Sequence, residues 1–238
     1  MVYKWIKNKL SGLIQHYCLL CLAATENNYL LCSGCENDLP VNQPHCIVCA
    51  SPLAADFALV CAQCQQTPPQ YQTSFIPYLY ASPLKELISD FKFHRNLSAA
   101  PVLAHIFSQS ILLRKSKLPE CIIPMPLHKQ RLRSRGFNQA LELSRIIAQQ
   151  LRIPVDYSLC QRTKSTPYQS GLSAKERKEN LKNAFILSRP HLYKHVAIFD
   201  DVVTTGTSVN ELAKELRKSG VKIIEVWALA RTRVKNTP

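Results

Sequence analysis

The chain has no run approaching the roughly 20 consecutive apolar residues needed to span a bilayer. It shows no internal repeat beyond a recurring cysteine pair, and it is poor in acidic side chains, with 16 Asp and Glu against 30 Lys and Arg over 238 residues. The first absence excludes a membrane-spanning helix, and the second excludes a repeat architecture. The shortage of acids is uneven. Residues 1–70 hold 3 Lys and Arg against 4 Asp and Glu, whereas residues 71–238 hold 27 against 12. The second part therefore favours polyanionic partners, either nucleic acid or phosphorylated small molecules. Lys4, Lys7 and Lys9 ahead of "LSGLIQHYCLLCLAA" loosely mimic a secretion signal, but Gln15 and His16 break the apolar run. A soluble, cytoplasmic protein without a membrane span is expected. A hydrophobic content of 46% is enough for a core, and the length suits one ordinary domain plus a small module.

Eight of the ten cysteines form four C-x-x-C pairs: Cys18/Cys21, Cys32/Cys35, Cys46/Cys49 and Cys61/Cys64. A two-residue spacing lets both sulfurs of a tight knuckle face one ion, and two knuckles complete a tetrahedral zinc shell of four cysteines. The competing readings are disulfides, which suit an exported chain, and a thioredoxin-like redox pair, which needs a single motif beside a βαβ unit. Two structural zinc sites fit best. Sequential pairing closes the shortest loops, and an interleaved cross-brace stays open. Large apolar residues are too few in this module for it to fold without metal. His16 and His45 flank knuckles without being needed as ligands. The expected organisation is a double zinc-ribbon module with a short N-terminal helix over residues 1–66, a linker and aromatic strand over 67–80, and an α/β domain over 81–238.

Within "QTPPQYQTSF", Pro68 and Pro69 mark the linker. Tyr71, Phe75, Tyr78 and Tyr80 suggest an aromatic strand or hairpin, and Ser82-Pro83 a helix start, with Leu84, Leu87, Ile88 and Phe91 at helical spacing. A second helix is predicted over 98–114, and "CIIPM" from Cys121 is a buried strand end. Phe137, Ala140, Leu141, Ser144, Ala148 and Leu151 mark another helical face. Residues 154–160 form a weak strand candidate. "HVAIFDD" and "KIIEVWALA" are strong ones, joined by a helix from Gly206 to about Ser219. Helices alternating with continuous apolar strands imply a mostly parallel sheet flanked by helices.

"VAIFDDVVTTGTS", residues 196–208, drives an apolar strand into two carboxylates and then a hydroxyl-rich turn. In parallel sheets ligands bind beyond the carboxyl ends of the strands, where Asp200 and Asp201 are expected. Thr204, Thr205, Gly206, Thr207 and Ser208 then lead into a helix, whose free N–H groups and dipole attract an anion. Carboxylates beside a phosphate cradle repel the phosphate itself, so their partners are neutral hydroxyls or Mg²⁺. A sugar phosphate satisfies both halves. In "HKQRLRSRG", Lys129, Arg131, Arg133 and Arg135 alternate, and an extended loop would place all four on one side. Such a stripe suits a pyrophosphate or a single-stranded nucleic-acid backbone, the bland alternative being a solvated charge run. Phe91 and Phe93 lie among Lys92, His94 and Arg95. Phe91 reads as core, while Phe93 is a candidate base-stacking group. His94 lacks an identifiable partner for acid-base work.

Residues 196–208 resemble the ribose 5-phosphate motif of type I phosphoribosyltransferases. Together with the cysteine knuckles, "IIPMPLHKQRLRSRGFNQA" and "RTKSTPYQSGLSAKERKENLKNAF", the pattern resembles the ComF family over almost the whole chain. The resemblance implies a type I phosphoribosyltransferase-like domain preceded by zinc ribbons, a role in natural transformation or use of external DNA, and single-stranded DNA and competence-machinery proteins as partners. It also implies phosphoribosyl pyrophosphate with Mg²⁺ as ligand. By position, the segment opened by Arg162 and Lys164, with Ser165, Thr166, Pro167, Gln169 and Gly171, corresponds to a loop that closes over pyrophosphate. Lys164 is then a catalytic candidate beside Asp200 and Asp201, and Arg162 joins the basic stripe as a pyrophosphate or DNA-backbone contact. Arg177 and Asn180 match the family pattern, although Arg177 equally suits an ion pair. Three functions follow: DNA handling, phosphoribosyl transfer to an unidentified acceptor, or sensing of phosphoribosyl pyrophosphate.

Overall fold

A computed structural model of the chain describes residues 15–27, 29–54, 59–94, 96–164 and 181–233. The apolar runs form one sheet, in the order β3 (Thr73–Phe75), β9 (Ile223–Arg231), β8 (His195–Val203), β5 (Cys121–Pro124), with β4 (Tyr78–Leu79) following β3 along β9. Every pairing in it is parallel. β8 and β9 are apolar along most of their length because helices cover both faces of the sheet. The register places Phe75, Trp227, Phe199 and Pro124 in one row across the sheet. Phe107 of α4 (Ala99–Leu112) packs on that row, 5.5 Å from Phe75, 5.4 Å from Phe199 and 5.7 Å from Trp227.

The other main helices are α3 (Leu84–Phe93), α5 (Lys129–Arg135), α6 (Gln139–Leu151) and α7 (Thr207–Lys218). Asn138 caps α6 by accepting from the Leu141 N–H. Gly220, at φ 99°, follows the end of α7 as the sequence predicts. The amino end of β8 and β9 is sealed by polar contacts. There the buried Glu225 carboxylate takes Arg114 Nη1 at 2.5 Å and Trp227 Nε1 at 3.0 Å, with His195 Nε2 at 2.9 Å.

The segment holding Lys129, Arg131, Arg133 and Arg135 is helical rather than extended, so the four do not share one side. His128 accepts from the Gln130 N–H at its start, and Gly136 closes it in the left-handed region at φ 84°. At 100° per residue, Lys129 and Arg133 fall on one face and Arg131 and Arg135 on nearly the opposite one. The first two are exposed and the second two half-buried. The weak strand over 154–160 reduces to Val155, which pairs with Ile122 beyond β5. The Asp156 carboxylate accepts from the Ser158 and Leu159 N–H groups at 3.3 and 3.0 Å, and this local turn diverts the chain. Cys160 instead opens a separate antiparallel hairpin, β6 (Cys160–Arg162) with β7 (Phe185–Leu187).

The cysteine-rich part holds β1 (His16–Tyr17), β2 (Ala24–Thr25), α1 (Ser33–Asn37) and α2 (Ala62–Gln66). It docks on the sheet through backbone pairing of Asn42 with Pro77 and of Leu79 with Pro40. The buried Asn42 amide adds bonds to the Ala50 and Ile76 carbonyls, both 3.0 Å. The aromatic segment around Tyr78 is thus a strand pair held between the two parts. The expected N-terminal helix, with Lys4, Lys7 and Lys9, lies outside the described residues.

Candidate functional site

The connection after β5 runs through α5 and α6 to Val155, on the side of β5 away from β8. The connection after β8 runs through α7 to β9, the opposite way. The chain therefore reverses its winding between β5 and β8, and the crevice at their carboxyl ends is where an open α/β sheet takes a ligand. β5 ends at Pro124, paired with Phe199, while β8 continues to Val203. Asp200 and Asp201 lie beyond β5, yet they remain inside β8, with Asp200 and Val202 still paired with β9 on the other side. The sequence places them past the strand end, and pairing with β9 carries β8 four residues beyond Phe199, to Val203.

The two carboxylates stay within reach of each other at the end of β8. Asp201 turns to the α3 face and pairs with Lys92, Nζ to Oδ2 2.9 Å, with both side chains largely buried. Asp200 Oδ1 accepts from the Asp201 N–H at 2.9 Å. Burial first, and the Asp201 charge second, push the Asp200 carboxyl up from 3.8 to about 7, with Lys92 opposing. The folded chain therefore holds this proton more tightly than the unfolded one. Stability contributed through Asp200 falls as pH rises from about 4 to about 7 and stays low above. Asp200→Asn is expected to raise the melting temperature at pH 8, where the ionised carboxylate is held against its burial. That gain should shrink towards pH 4. Thermal melts across pH 4–8 check it, and an equal effect at both ends would contradict it.

On the Asp200 side stands Arg162 of β6, stacked over Phe185 at 5.7 Å. Burial and then the nearby Arg131 charge hold its guanidinium below the usual arginine range, and Asp200 opposes them. Arg131, Arg162, Asp200, Asp201 and Lys92 thus share one electrostatic neighbourhood. Arg135 donates to Gln139 Oε1 at 3.2 Å. Lys164 is exposed and donates through Nζ to the Lys182 carbonyl at 2.7 Å. Ser165, Thr166, Pro167, Gln169, Gly171, Arg177 and Asn180, and Arg95 elsewhere, lie outside the described residues.

Beyond β8, Thr204 and Thr205 are exposed, and Gly206 occupies the left-handed region at φ 78° as the N-cap of α7. A side chain there would be strained by that φ, and its Cβ would lie 3.6 Å from Tyr71 Oη. Thr205 Oγ1 and Thr207 Oγ1 are 2.9 Å apart, with Thr207 the first residue of α7 and Ser208 the second. Phe91 is fully buried and packs on Phe137 at 5.2 Å, whereas Phe93 is 67% exposed. His94 pairs with Asp90 at 3.0 Å.

The sequence places Lys92 only among the cations around Phe91 and Phe93, yet it reaches Asp201 from a helix more than a hundred residues earlier. Its only signal was a lysine next to a core phenylalanine. Buried Arg231 and Tyr71 were missed in the same way, because each reads as ordinary strand composition.

The cysteines gather as Cys18, Cys21, Cys32 and Cys35 and as Cys46, Cys49, Cys61 and Cys64, with all sulfurs of each set within 4.8 Å of one another. The pairing is sequential. A tetrahedron with Zn–S of about 2.3 Å needs sulfurs about 3.8 Å apart, and Cys21–Cys32 and Cys49–Cys61 both measure 3.7 Å. The Cys61 N–H also points at Cys46 Sγ, 3.3 Å away, as backbone donors do around thiolates. Contact with Cys49 pulls Cys46 down to about 4, and the same contact with burial drives Cys49 up. Four crowded thiols cannot all ionise without a cation between them, and both sets fit structural zinc.

Residues 11–65 match the family model described as a double zinc ribbon domain. The chain is 41% identical to competence protein F of Haemophilus influenzae over 208 residues, covering 84% of this chain and 90% of that protein. It is 36% identical to the DNA utilization protein YhgH of Escherichia coli K12, covering 90% and 96% respectively. It is 25% identical to competence protein ComFC of Streptococcus pneumoniae, covering 84% and 87%. Among solved structures, a purine phosphoribosyltransferase from Pyrococcus horikoshii aligns over 59% of this chain and 91% of its own, at 17% identity and a TM-score of 0.32.

Proposed function

This chain belongs to the ComF family, and from that premise we propose that it handles incoming single-stranded DNA in natural transformation or DNA utilisation, using a pocket for phosphoribosyl pyrophosphate with Mg²⁺. The observation that carries this reading is the switch-point crevice, where a carboxylate pair, a hydroxyl turn at a helix start and two arginines converge. The turn supplies N–H groups and hydroxyls to the 5-phosphate, and the carboxylates take the ribose hydroxyls. Arg131 and Arg162 face the pyrophosphate end, with Lys164 as a further cation nearby in sequence. Zinc holds the ribbons, whose near-neutral charge suits a structural role or a protein partner rather than the DNA backbone.

The helical form of α5 divides the basic residues between the two ligands. Arg131 and Arg135, half-buried, belong to the pocket, while Lys129 and Arg133, exposed, track DNA with Phe93 as a stacking group. Lys129→Ala/Arg133→Ala is therefore expected to weaken single-stranded DNA binding. It should flatten the logarithmic salt dependence by about 1.4, at roughly 0.7 per phosphate contact. Phosphoribosyl pyrophosphate binding should be unchanged. Fluorescence anisotropy with a labelled oligonucleotide over a salt series is the check, and undiminished DNA binding would move the interface elsewhere. Release of pyrophosphate from phosphoribosyl pyrophosphate with candidate acceptors would turn the reading into a phosphoribosyltransferase. Ligand binding that shifts DNA affinity without turnover would make the pocket a sensor.

A further inference from the structure

Arg231 ends β9 and is only 3% exposed. Among the described residues no carboxylate pairs with it. Its Nε donates to the Cys49 carbonyl at 3.1 Å and its Nη1 to the Val203 carbonyl at 3.0 Å. Cys49 belongs to the second cysteine set, and Val203 is the last residue of β8, immediately before Thr204. One guanidinium thus bridges a metal knuckle and the start of the hydroxyl turn. The adjacent Thr232 N–H also donates to Val203, at 3.1 Å.

A buried guanidinium without a carboxylate needs another source of negative charge. Four thiolates around one Zn²⁺ carry a net charge of minus two, and Cys49 brings that centre alongside. Tyr71 lies between the two features. Its hydroxyl feels the charges of Cys49, Arg231 and Cys64, and sits 3.6 Å from the Cβ position of Gly206. The same ribbon is pinned to the sheet by the Ser74 hydroxyl, which donates to the Val48 carbonyl at 2.7 Å. By contrast, the first cysteine set adjoins α4 through the stack of Tyr29 on His105, away from the turn.

We propose that Arg231 is a positioning residue coupling the second zinc centre to the turn of Thr204–Ser208, so that metal and sugar phosphate strengthen each other's binding while the first centre is indifferent. The ligand half of this coupling rests on the sugar-phosphate reading of the turn. Linkage makes the effect reciprocal: the factor by which zinc improves ligand affinity equals the factor by which ligand improves zinc affinity.

The test uses the intact zinc-loaded chain, a zinc-selective chelator titration, and hydrogen exchange read by mass spectrometry, with and without ribose 5-phosphate. Exchange over residues 46–66 and over 15–37 identifies which centre has lost its metal. Loss from the second centre is expected to speed exchange over 203–208 by about tenfold, the weight of a charge-assisted hydrogen bond. Ribose 5-phosphate should raise the chelator concentration needed at that centre by a similar factor and leave the first unchanged. Arg231→Lys, which keeps the charge but cannot bridge both carbonyls, should abolish both effects. Should that variant fail to fold, the wild-type titration still decides. A turn whose exchange ignores the second centre, or responds equally to the first, overturns the coupling. If ribose 5-phosphate has no effect while the turn still loosens on metal loss, the coupling stands and the sugar-phosphate reading fails. If ribose 5-phosphate binds and the turn ignores the metal, the reading stands and the coupling fails.

Discussion

Chelation of both zinc ions is expected to unfold the cysteine-rich part of the chain while the parallel sheet persists. The described residues 15–66 contain two helices of five residues and two strands of two. Their buried apolar side chains are Cys18, Leu31, Leu39, Cys46, Ala50 and Cys64, three of them metal ligands. Such a core is too small to offset the chain entropy of fifty residues. Zinc binding by short Cys modules supplies about 10–16 kcal/mol per site at neutral pH, which here is folding free energy. The sheet has its own core, including Phe91, Phe107, Phe199 and Trp227, all almost fully buried. Hydrogen exchange after chelation should therefore lose protection over 15–66 and keep it in β8 and β9, with only the turn at 203–208 loosened. Protection of the cysteine-rich part without metal would contradict the zinc assignment.

The parts of the fold legible in the sequence are those fixed by local rules. Uninterrupted apolar runs identify β8 and β9 because both faces of a parallel strand are covered. Two-residue cysteine spacing identifies the knuckles, and Gly206 and Gly220 bracket α7. Where the sequence misleads, a local choice decides between two readings. "HKQRLRSR" alternates like a strand, but it is built from good helix formers, and the glycine that follows is a helix stop. Asp156 turns a strand candidate into a bend through its own side chain. What the sequence does not carry is partnership at a distance. Lys92 reaches Asp201, and Arg231 reaches Cys49, across separations of more than a hundred residues, and neither pairing has a spacing rule. Half of the candidate site, the carboxylates and the hydroxyl turn, is contiguous and was readable. The cations that complete it come from α3, α5 and β6.

Replacing both carboxylates is expected to have the largest effect on ligand binding. In Asp200→Ala/Asp201→Ala, the ribose hydroxyls lose their acceptors and Lys92, itself largely buried, loses its partner at 2.9 Å. An unpaired cation beside the turn would hold a free phosphate at least as well as the wild type. The variant should consequently lose phosphoribosyl pyrophosphate while retaining inorganic phosphate. Each hydrogen bond to a charged group is worth about 1.5–3 kcal/mol, so losing two corresponds to a hundredfold or greater loss of affinity. Burial raises Asp200 to about 7, so sugar binding by the ionised carboxylate should also strengthen as pH rises through 7.

Calorimetric titration of phosphoribosyl pyrophosphate with Mg²⁺ into the wild type and into Asp200→Ala/Asp201→Ala tests the pocket most directly. Micromolar binding to the wild type, lost in the variant, is the predicted result. Absence of binding to the wild type, or equal binding to both, would contradict a sugar-phosphate pocket at the end of β8.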